Sequence, residues 1–306
     1  MTKDPVAVIG GGYMGVGIAQ TFALAGHPVR LVDADPERTA HSVERARRQL
    51  REYVASGQIS DARNAGDLIE PTPSIRAAVD GVIYISEAVP ESIDLKREVL
   101  GAIAAASADA VIATNTSAIE LDPLFAAIGG RDHMLAAHWF NPAPFVPLVE
   151  VAGGSEDATV RAEVVLTGIG KLPLRVPAVS GFIGNRLQLA LYREAALIVE
   201  EGLVDAATVD AVVTASFGMR LPFLGPLLAG DMAGLDVYAA AFASLEAVYG
   251  ARFAPPPSLI ARVEAGDVGL KSGGGLRSVD PAERETLLRR RDEALVRLAH
   301  LRASLG

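Results

Sequence analysis

The sequence predicts an α/β fold: a doubly wound parallel sheet followed by an all-α C-terminal domain. Short β-branched runs alternate with longer helical patterns through the first half, the mark of βαβ units. Strand signals stop after Val176, and the pattern beyond is helical only. At 306 residues the chain also exceeds the usual single-domain size. The change of texture divides it into 1–178 and 179–306.

Taken in order, Val6–Ile9 is a fully apolar strand that ends in glycines, and Tyr13–Ala25 is a helix stopped by Gly26. Val29–Val32 is the second strand, closed by Asp33. Pro36 occupies the first position of a long helix through Ser56, where its missing N–H costs nothing. Leu68–Glu70, Gly81–Ile85 and Ala110–Ala113 read as further strands, with a helix over Asp94–Ala106. Leu135–Trp139 and Leu148–Ala152 are two strands joined by the Pro-rich stretch Asn141–Pro147. Asp157–Ile169 is a helix and Leu172–Val176 the last strand. Pro177–Gly181 is a linker to helices over Phe182–Glu201, Asp205–Ser216 and Asp231–Tyr249. Asp280-Pro281-Ala282-Glu283 supplies a cap, a first-turn Pro and an acid that announce a final helix.

Composition narrows the function classes. The chain has no Cys, which excludes disulfides, thiolate nucleophiles and Cys-ligated zinc; no metal site is expected. The net charge of −9 argues against nucleic acid as a partner. The longest apolar stretch, Gly101–Thr114, is interrupted by Asp109, so no membrane span is expected. Only Met1–Pro5 precede the first strand, too little for a signal peptide, and a cytoplasmic location is expected. One basic cluster, Arg45, Arg47, Arg48 and Arg51, is either a solvated helix face or an anion-binding patch.

Gly10-Gly11-Gly12-Tyr13-Met14-Gly15 satisfies G-x-G-x-x-G, and it lies where that motif has meaning, between a buried strand and a helix. Gly10 allows the tight turn, Gly12 lets the backbone approach a pyrophosphate, and Gly15 lets the helix close on the sheet. The helix N-terminus offers unpaired N–H groups and partial positive charge to phosphate. Asp33 ends the next strand about twenty residues on, where a carboxylate binds both ribose hydroxyls and disfavours a 2′-phosphate. The first domain is therefore expected to be Rossmann-like and to bind NAD rather than NADP. A glycine-rich turn without a ligand is the bland alternative.

Of five histidines, His27, His41 and His300 read as surface residues. His138 differs, because it ends an apolar strand, and Glu150 lies in the next apolar strand. If the two strands pair, imidazole and carboxylate meet in an apolar setting, where each needs the other. Oxidising a secondary alcohol needs a base for the hydroxyl proton while hydride leaves the same carbon. A histidine held in one tautomer by a carboxylate suits that task. Thr114-Asn115-Thr116-Ser117 follows a strand at its C-terminal end, where open α/β sheets bind ligands, and Ser117 is placed to bond the reacting oxygen. Turn and capping chemistry is the ordinary alternative for these hydroxyls.

These residues together resemble the L-3-hydroxyacyl-CoA dehydrogenase family, nearly end to end. The resemblance is carried by the glycine loop, Glu87-Ala88-Val89-Pro90-Glu91, Asn115-Thr116-Ser117, His138-Trp139-Phe140-Asn141-Pro142 and Leu148-Val149-Glu150-Val151. It continues through Gly181-Phe182-Ile183 with Asn185-Arg186, Asp231 with Gly234-Leu235-Asp236, and Lys271-Ser272-Gly273. It implies His138 as general acid/base, Glu150 as its partner, and Ser117 and Asn185 as substrate-oxygen contacts. It also implies that Gly10, Gly12, Tyr13, Met14, Gly15, Asp33, Glu91, Lys96, Asn115 and Lys271 serve the NAD cofactor. A helix-face ion pair remains the plain alternative for Glu91 and Lys96, and a helix cap for Asn185.

The resemblance further implies a homodimer formed by the helical domain, an active site in the cleft between domains, and reversible oxidation of a short 3-hydroxyacyl-CoA. The chain departs from the family pattern in two places. Ala178-Val179-Ser180 replaces the usual Asp-x-Pro, which is expected to loosen the linker. Gln49 and Ser56 stand where relatives contact CoA, the latter usually a Lys; the nearby arginines are candidate replacements. Pro147-Leu148-Val149-Glu150 is closer to the L-gulonate and carnitine dehydrogenase branch, whose substrates carry no CoA. A dehydrogenase of a free hydroxy acid or of a carrier-bound hydroxyacyl group is thus the nearest alternative. A non-catalytic NADH-binding structural protein is the alternative from another class.

Overall fold

The computed structural model describes residues 3–59, 62, 64–129, 132–277 and 279–305. They form two compact units, Met1–Leu191 and Tyr192–Gly306. The division falls inside a helix, Gly184–Glu200, of which about two turns belong to the first unit, 13 residues past the expected boundary at 178.

The first unit is built on one eight-stranded sheet: β1 (Val6–Ile9), β2 (Val29–Val32), β3 (Ile69–Pro71), β4 (Tyr84–Glu87), β5 (Val111–Thr114), β6 (Met134–Trp139), β7 (Leu148–Ala152) and β8 (Leu172–Arg175). Their spatial order is β3-β2-β1-β4-β5-β6-β7-β8. All neighbours are parallel except β6 and β7. The order reverses between β1 and β4, which opens a crevice at the carboxyl ends of those strands. Strand β1 is apolar at every position because both faces are covered. Val6 and Val8 enter one core with Phe22, Leu31 and Trp139; Ala7 and Ile9 enter the other with Ile85, Ile103 and Phe125.

Helix α1 (Tyr13–Leu24) buries nine of its twelve residues, which explains its lack of a polar face. Helix α2 (Pro36–Ala55) is amphipathic and turns Thr39, Ser42, Val43, Ala46 and Leu50 inward. Asp35 caps it, its Oδ1 accepting from the Arg38 N–H at 2.8 Å, with Pro36 in the first turn as expected. Then come α3 (Ile75–Val79), α4 (Ile93–Ala106), α5 (Leu121–Ala126) and α6 (Glu156–Gly168). Helices α3 and α5 are five and six residues long, too short to show a periodicity in the sequence. Strand β4 runs to Glu87 rather than ending at Ile85, pairing Ile9 with Glu87 and carrying a carboxylate fully into the interior. His27 is buried rather than on the surface: its Nδ1 lies 2.8 Å from the Asp4 carbonyl and its ring meets Phe22 edge-on.

The second unit is helical among its described residues. It takes the end of α7 (Gly184–Glu200), then α8 (Ala206–Ala215), α9 (Pro226–Ala233), α10 (Leu235–Tyr249), α11 (Pro257–Glu264) and α12 (Pro281–Leu305), with short 3₁₀ turns between. The helix expected over Asp231–Tyr249 is interrupted at Gly234, whose φ of +108° no helix accommodates. Asp231, fully buried, accepts the N–H groups of Leu276 and Arg277 at 2.8 Å each and so ties the tail to α9. Among the described residues no helix is long and apolar enough to cross a membrane.

Candidate active site

The crevice at the β1–β4 switch opens into a cavity of about 1120 Å³, walled by the first unit. Gly10, Gly12, Tyr13, Met14 and Asp33 line one part of it; Glu91, Asn115, Ser117, His138 and Asn185 line another. A single hollow therefore joins the glycine loop to the expected catalytic residues.

The glycine loop has the geometry that a bound diphosphate requires. A Cβ on Gly10 would lie 2.7 Å from the Ala88 carbonyl, and one on Gly15 would fall on the Gly10 carbonyl oxygen; both positions demand glycine for packing. A Cβ on Gly12 would meet nothing within 4 Å, so this glycine leaves space that the protein does not fill. Asp33 Oδ2 accepts the Gly11 N–H at 2.7 Å, and its Oδ1 lies 3.3 Å from Arg38 Nε. The Gly11 carbonyl accepts from Ser42 Oγ at 2.9 Å and from Arg45 at 2.6 Å, and Arg45 also reaches the Gly12 carbonyl at 3.1 Å. Every polar atom of Gly11 is thus held in place. The open space at Gly12, the helix N-terminus behind it and the carboxylate at the end of β2 fit a dinucleotide with a free 2′-hydroxyl.

The arginine cluster resolves into four local tasks. Arg45 holds the glycine loop. Arg47 donates to the carbonyls of Gly66 and Ile69, Arg48 pairs with Glu52, and Arg51 pairs with Glu44.

His138 and Glu150 stand directly opposite each other on the antiparallel pair β6/β7, so their side chains emerge on one face. Nδ1 of His138 lies 2.8 Å from Glu150 Oε2, and both residues are nearly fully buried. The other carboxylate oxygen accepts the N–H groups of Ile183 and Gly184 at 3.0 and 2.9 Å. Phe182 stacks on the imidazole at 5.2 Å between centroids, and Phe140 approaches it at 4.7 Å. Phe182 adopts φ +46°, a conformation costing about 1–3 kcal/mol, and the stacking together with the two amide bonds to Glu150 holds it there. The linker is pinned rather than loose, since Ser180 Oγ donates to the Ala118 carbonyl at 2.9 Å and Phe182 is buried.

A second polar network supports the wall. Glu87 and Lys96 are both fully buried, with Lys96 Nζ 2.8 Å from Glu87 Oε1 and 3.6 Å from Glu91 Oε2. Thr114 Oγ1 and the Val89 N–H also donate to Glu87. Lys96 consequently does not line the cavity; it stands behind Glu91. Glu91 Oε1 accepts from Thr116 Oγ1 at 2.6 Å and from the N–H groups of Ser117 and Ala118 at 2.9 Å each. Partial burial pushes the Glu91 carboxyl up, but these hydrogen bonds and the Lys96 charge outweigh it and hold the group below its ordinary value. Ser117 Oγ is 3.4 Å from Glu91, a long contact that leaves the hydroxyl available to a ligand. Asn115 Oδ1 accepts the Trp139 N–H at 2.9 Å.

Of the remaining expected site residues, Gly15 and Glu150 act from behind the cavity wall. Lys271 belongs to the second unit, where it pairs with Asp236 at 2.6 Å. Sequence reasoning named Glu87, Thr114 and Asn141 within motifs but gave them no role, and it missed Arg38 and Gln188. Gln188 follows Asn185 by one helical turn, and both line the cavity.

The family model for the NAD-binding domain of 3-hydroxyacyl-CoA dehydrogenase matches residues 5–179, and that for the C-terminal domain of the same enzyme matches residues 181–278. The chain is 33% identical over 299 residues to a 5-formyl-3-hydroxy-2-methylpyridine 4-carboxylate 5-dehydrogenase of Mesorhizobium japonicum, covering 95% of this chain and 96% of that one. It is 36% identical over 260 residues to the L-carnitine dehydrogenase/betainyl-CoA thioesterase of Rhizobium meliloti, covering 79% of this chain and 50% of that protein. The crystal structure of the 3-hydroxyacyl-CoA dehydrogenase of Archaeoglobus fulgidus superposes with a TM-score of 0.79 at 30% identity, over 97% of this chain and 99% of the other. The chain belongs to the 3-hydroxyacyl-CoA dehydrogenase family and is an NAD-dependent oxidoreductase acting on a CH–OH group.

Proposed function

We propose that the chain interconverts the secondary alcohol and ketone of a small hydroxy acid that carries no CoA, with His138 as general acid/base. The observation that carries the chemistry is the His138–Glu150 pair: His138 lines the same cavity as the glycine loop and Asp33, and Glu150 holds it from behind. Nδ1 is committed to Glu150, which leaves Nε2 to take the hydroxyl proton in oxidation and to return it in reduction. Glu150 holds that tautomer and stabilises the imidazolium that forms. Ser117 and Asn185 hold the reacting oxygen. NAD, when held by the glycine loop and Asp33, would supply the hydride acceptor for that carbon. Asp33 and the N-terminus of α1 would orient the adenosine and diphosphate, and the buried Glu87–Lys96 pair keeps Glu91 in its place on the wall.

Two observations favour a substrate without CoA. Each arginine of the cluster on α2 is engaged within the chain, and Ser56, at the position where CoA-binding relatives carry Lys, bonds the Glu52 carbonyl. The full-length relative in Mesorhizobium acts on a pyridine carboxylate, and the Rhizobium relative is named for carnitine. The second reading, a short 3-hydroxyacyl-CoA, draws on His138-Trp139-Phe140-Asn141-Pro142, which follows the acyl-CoA branch. Assays with NAD(H) on L-gulonate, carnitine and acetoacetyl-CoA separate the two. Turnover of a free acid alone is expected; faster reduction of acetoacetyl-CoA overturns the substrate assignment. NADH binding without any turnover favours the structural-protein alternative.

A homodimer through the helical unit is part of the proposal. Leu203, Val212, Leu221, Phe223, Leu227 and Val248 are exposed there, apolar side chains of the kind that a subunit interface buries. Sedimentation velocity tests it.

A further inference from the structure

Lys171 is a buried cation without a carboxylate partner among its hydrogen bonds. Its ammonium donates to the carbonyls of Ala143 at 2.5 Å, Val146 at 2.8 Å and Pro144 at 3.5 Å, and lies 5.5 Å from the centre of the Trp139 ring. Burial alone lowers its pKa to about 8; no neighbouring charge contributes. Burying an ammonium in this way is costly, so its three acceptors must be worth fixing. All three lie on the loop 140–147, which joins the strand of His138 to the strand of Glu150.

That loop is wedged among elements that serve the site. Ala143 is buried against Gly17 of α1, where a Cβ on the glycine would come within 3.1 Å of it. Phe145 meets Tyr53 of α2 edge-on at 5.0 Å. At the loop's beginning Phe140 packs on His138, and Phe140 and Asn141 line the cavity. Neutral Lys171 would leave two or three carbonyls without a strong donor and release the loop that places these groups.

We propose that Lys171 is a positioning residue for the catalytic pair, its ammonium locking loop 140–147 so that Phe140 holds the imidazole and Asn141 faces the substrate. The inference rests on the dehydrogenase reading for its effect on turnover, but the lock itself does not. The amides of Phe145 and Val146 both donate to the Pro142 carbonyl at 3.0 Å and report loop opening. In Lys171→Met, hydrogen exchange at these two amides should accelerate tenfold or more while those of β1 are unchanged. A misplacement of about 1 Å costs on the order of 10²-fold in rate, so kcat should fall about that much with the NADH Kd within twofold of wild type.

A merely structural lysine would lower the folded fraction and leave kcat per folded site, KM and loop exchange alone; that result overturns the proposal. If Lys171→Met does not fold, wild type decides. After correction for intrinsic exchange rates, the Phe145 and Val146 amides should open more often at pH 9.5 than at pH 7, and equal opening overturns the lock. The ionisable residues on the flanking strands, His138 and Glu150, are paired with each other; Tyr53, packed on Phe145, has its pKa pushed up by burial; and Lys3 bonds the Gly168 carbonyl at the end of α6. Accelerated loop exchange in a protein that turns over none of the hydroxy acids would sustain the lock while removing the hydroxy-acid assignment.

Discussion

Glu150 grips His138 with one carboxylate oxygen and is itself gripped, through the other, by the backbone of Ile183 and Gly184. The two amides require an acceptor at Oε1. In Glu150→Gln the amide oxygen would therefore settle there and the NH₂ would face Nδ1. That arrangement inverts the imidazole tautomer and puts a proton on the nitrogen that must act as base. Turnover should fall by about 10²–10⁴-fold, the range assigned to general acid–base catalysis, with NADH affinity unchanged within twofold. Stopped-flow turnover and an NADH fluorescence titration check it; a variant with near-normal kcat would detach Glu150 from the chemistry.

Arg45 reaches the cofactor site from behind, through the Gly11 and Gly12 carbonyls. Hydrogen bonds to a charged group contribute about 1.5–3 kcal/mol, so Arg45→Met should weaken NADH binding by roughly tenfold or more. Both bonds come from one guanidinium nitrogen, Nη2, so Arg45→Lys, which keeps the charge on a shorter side chain, should recover part of the loss. Turnover at saturating cofactor should stay close to wild type, because no reacting atom is touched. Equal NADH affinity in all three proteins would reduce Arg45 to an ordinary surface contact.

Much of this site was legible in the residue order, for physical reasons. A strand buried on both faces must be apolar throughout, so Val6–Ile9 and its glycines announced a cofactor loop. A polar pair set in two apolar strands has to be satisfied by something, and His138 and Glu150 satisfy each other. Less legible were groups whose surroundings come from distant parts of the chain. Lys96 sits among Asp94, Arg97 and Glu98 and reads as a solvated helix face; only the register that carries Glu87 inward shows that it is buried. Arg45 and Lys171 bond carbonyls, which leave no mark in side-chain patterns. The break at Gly234 was hidden because an isolated glycine is tolerated in many helices.

Glu91 gives the protein a defined acid sensitivity. Its hydrogen bonds from Thr116, Ser117 and Ala118 hold the native carboxyl below the ordinary value near 4.5. The native state then binds fewer protons at this group than the unfolded state, so the stabilisation is present above about pH 4.5 and is lost as pH falls through the native pKa. Glu91→Gln should melt below wild type at pH 7, and the gap should close as the pH falls below about 4.5. Thermal melts across that range test it, and a gap independent of pH would assign the loss to packing instead.

Gly12 and Gly15 belong to one motif, yet substitutions at the two positions should fail in opposite ways. Gly12 has φ −65° and open space where a Cβ would stand, so Gly12→Ala strains nothing in the protein itself. The added methyl would occupy the approach of the diphosphate to the helix N-terminus. Its melting temperature should match wild type while NADH affinity drops by at least tenfold, about 1.4 kcal/mol. Gly15→Ala would drive a methyl into the Gly10 carbonyl oxygen, and the helix or the loop must shift to relieve it. Its melting temperature should fall before any cofactor is added. Circular dichroism melts with and without NADH separate the two, and a Gly12→Ala protein that binds NADH normally would move the diphosphate away from this loop.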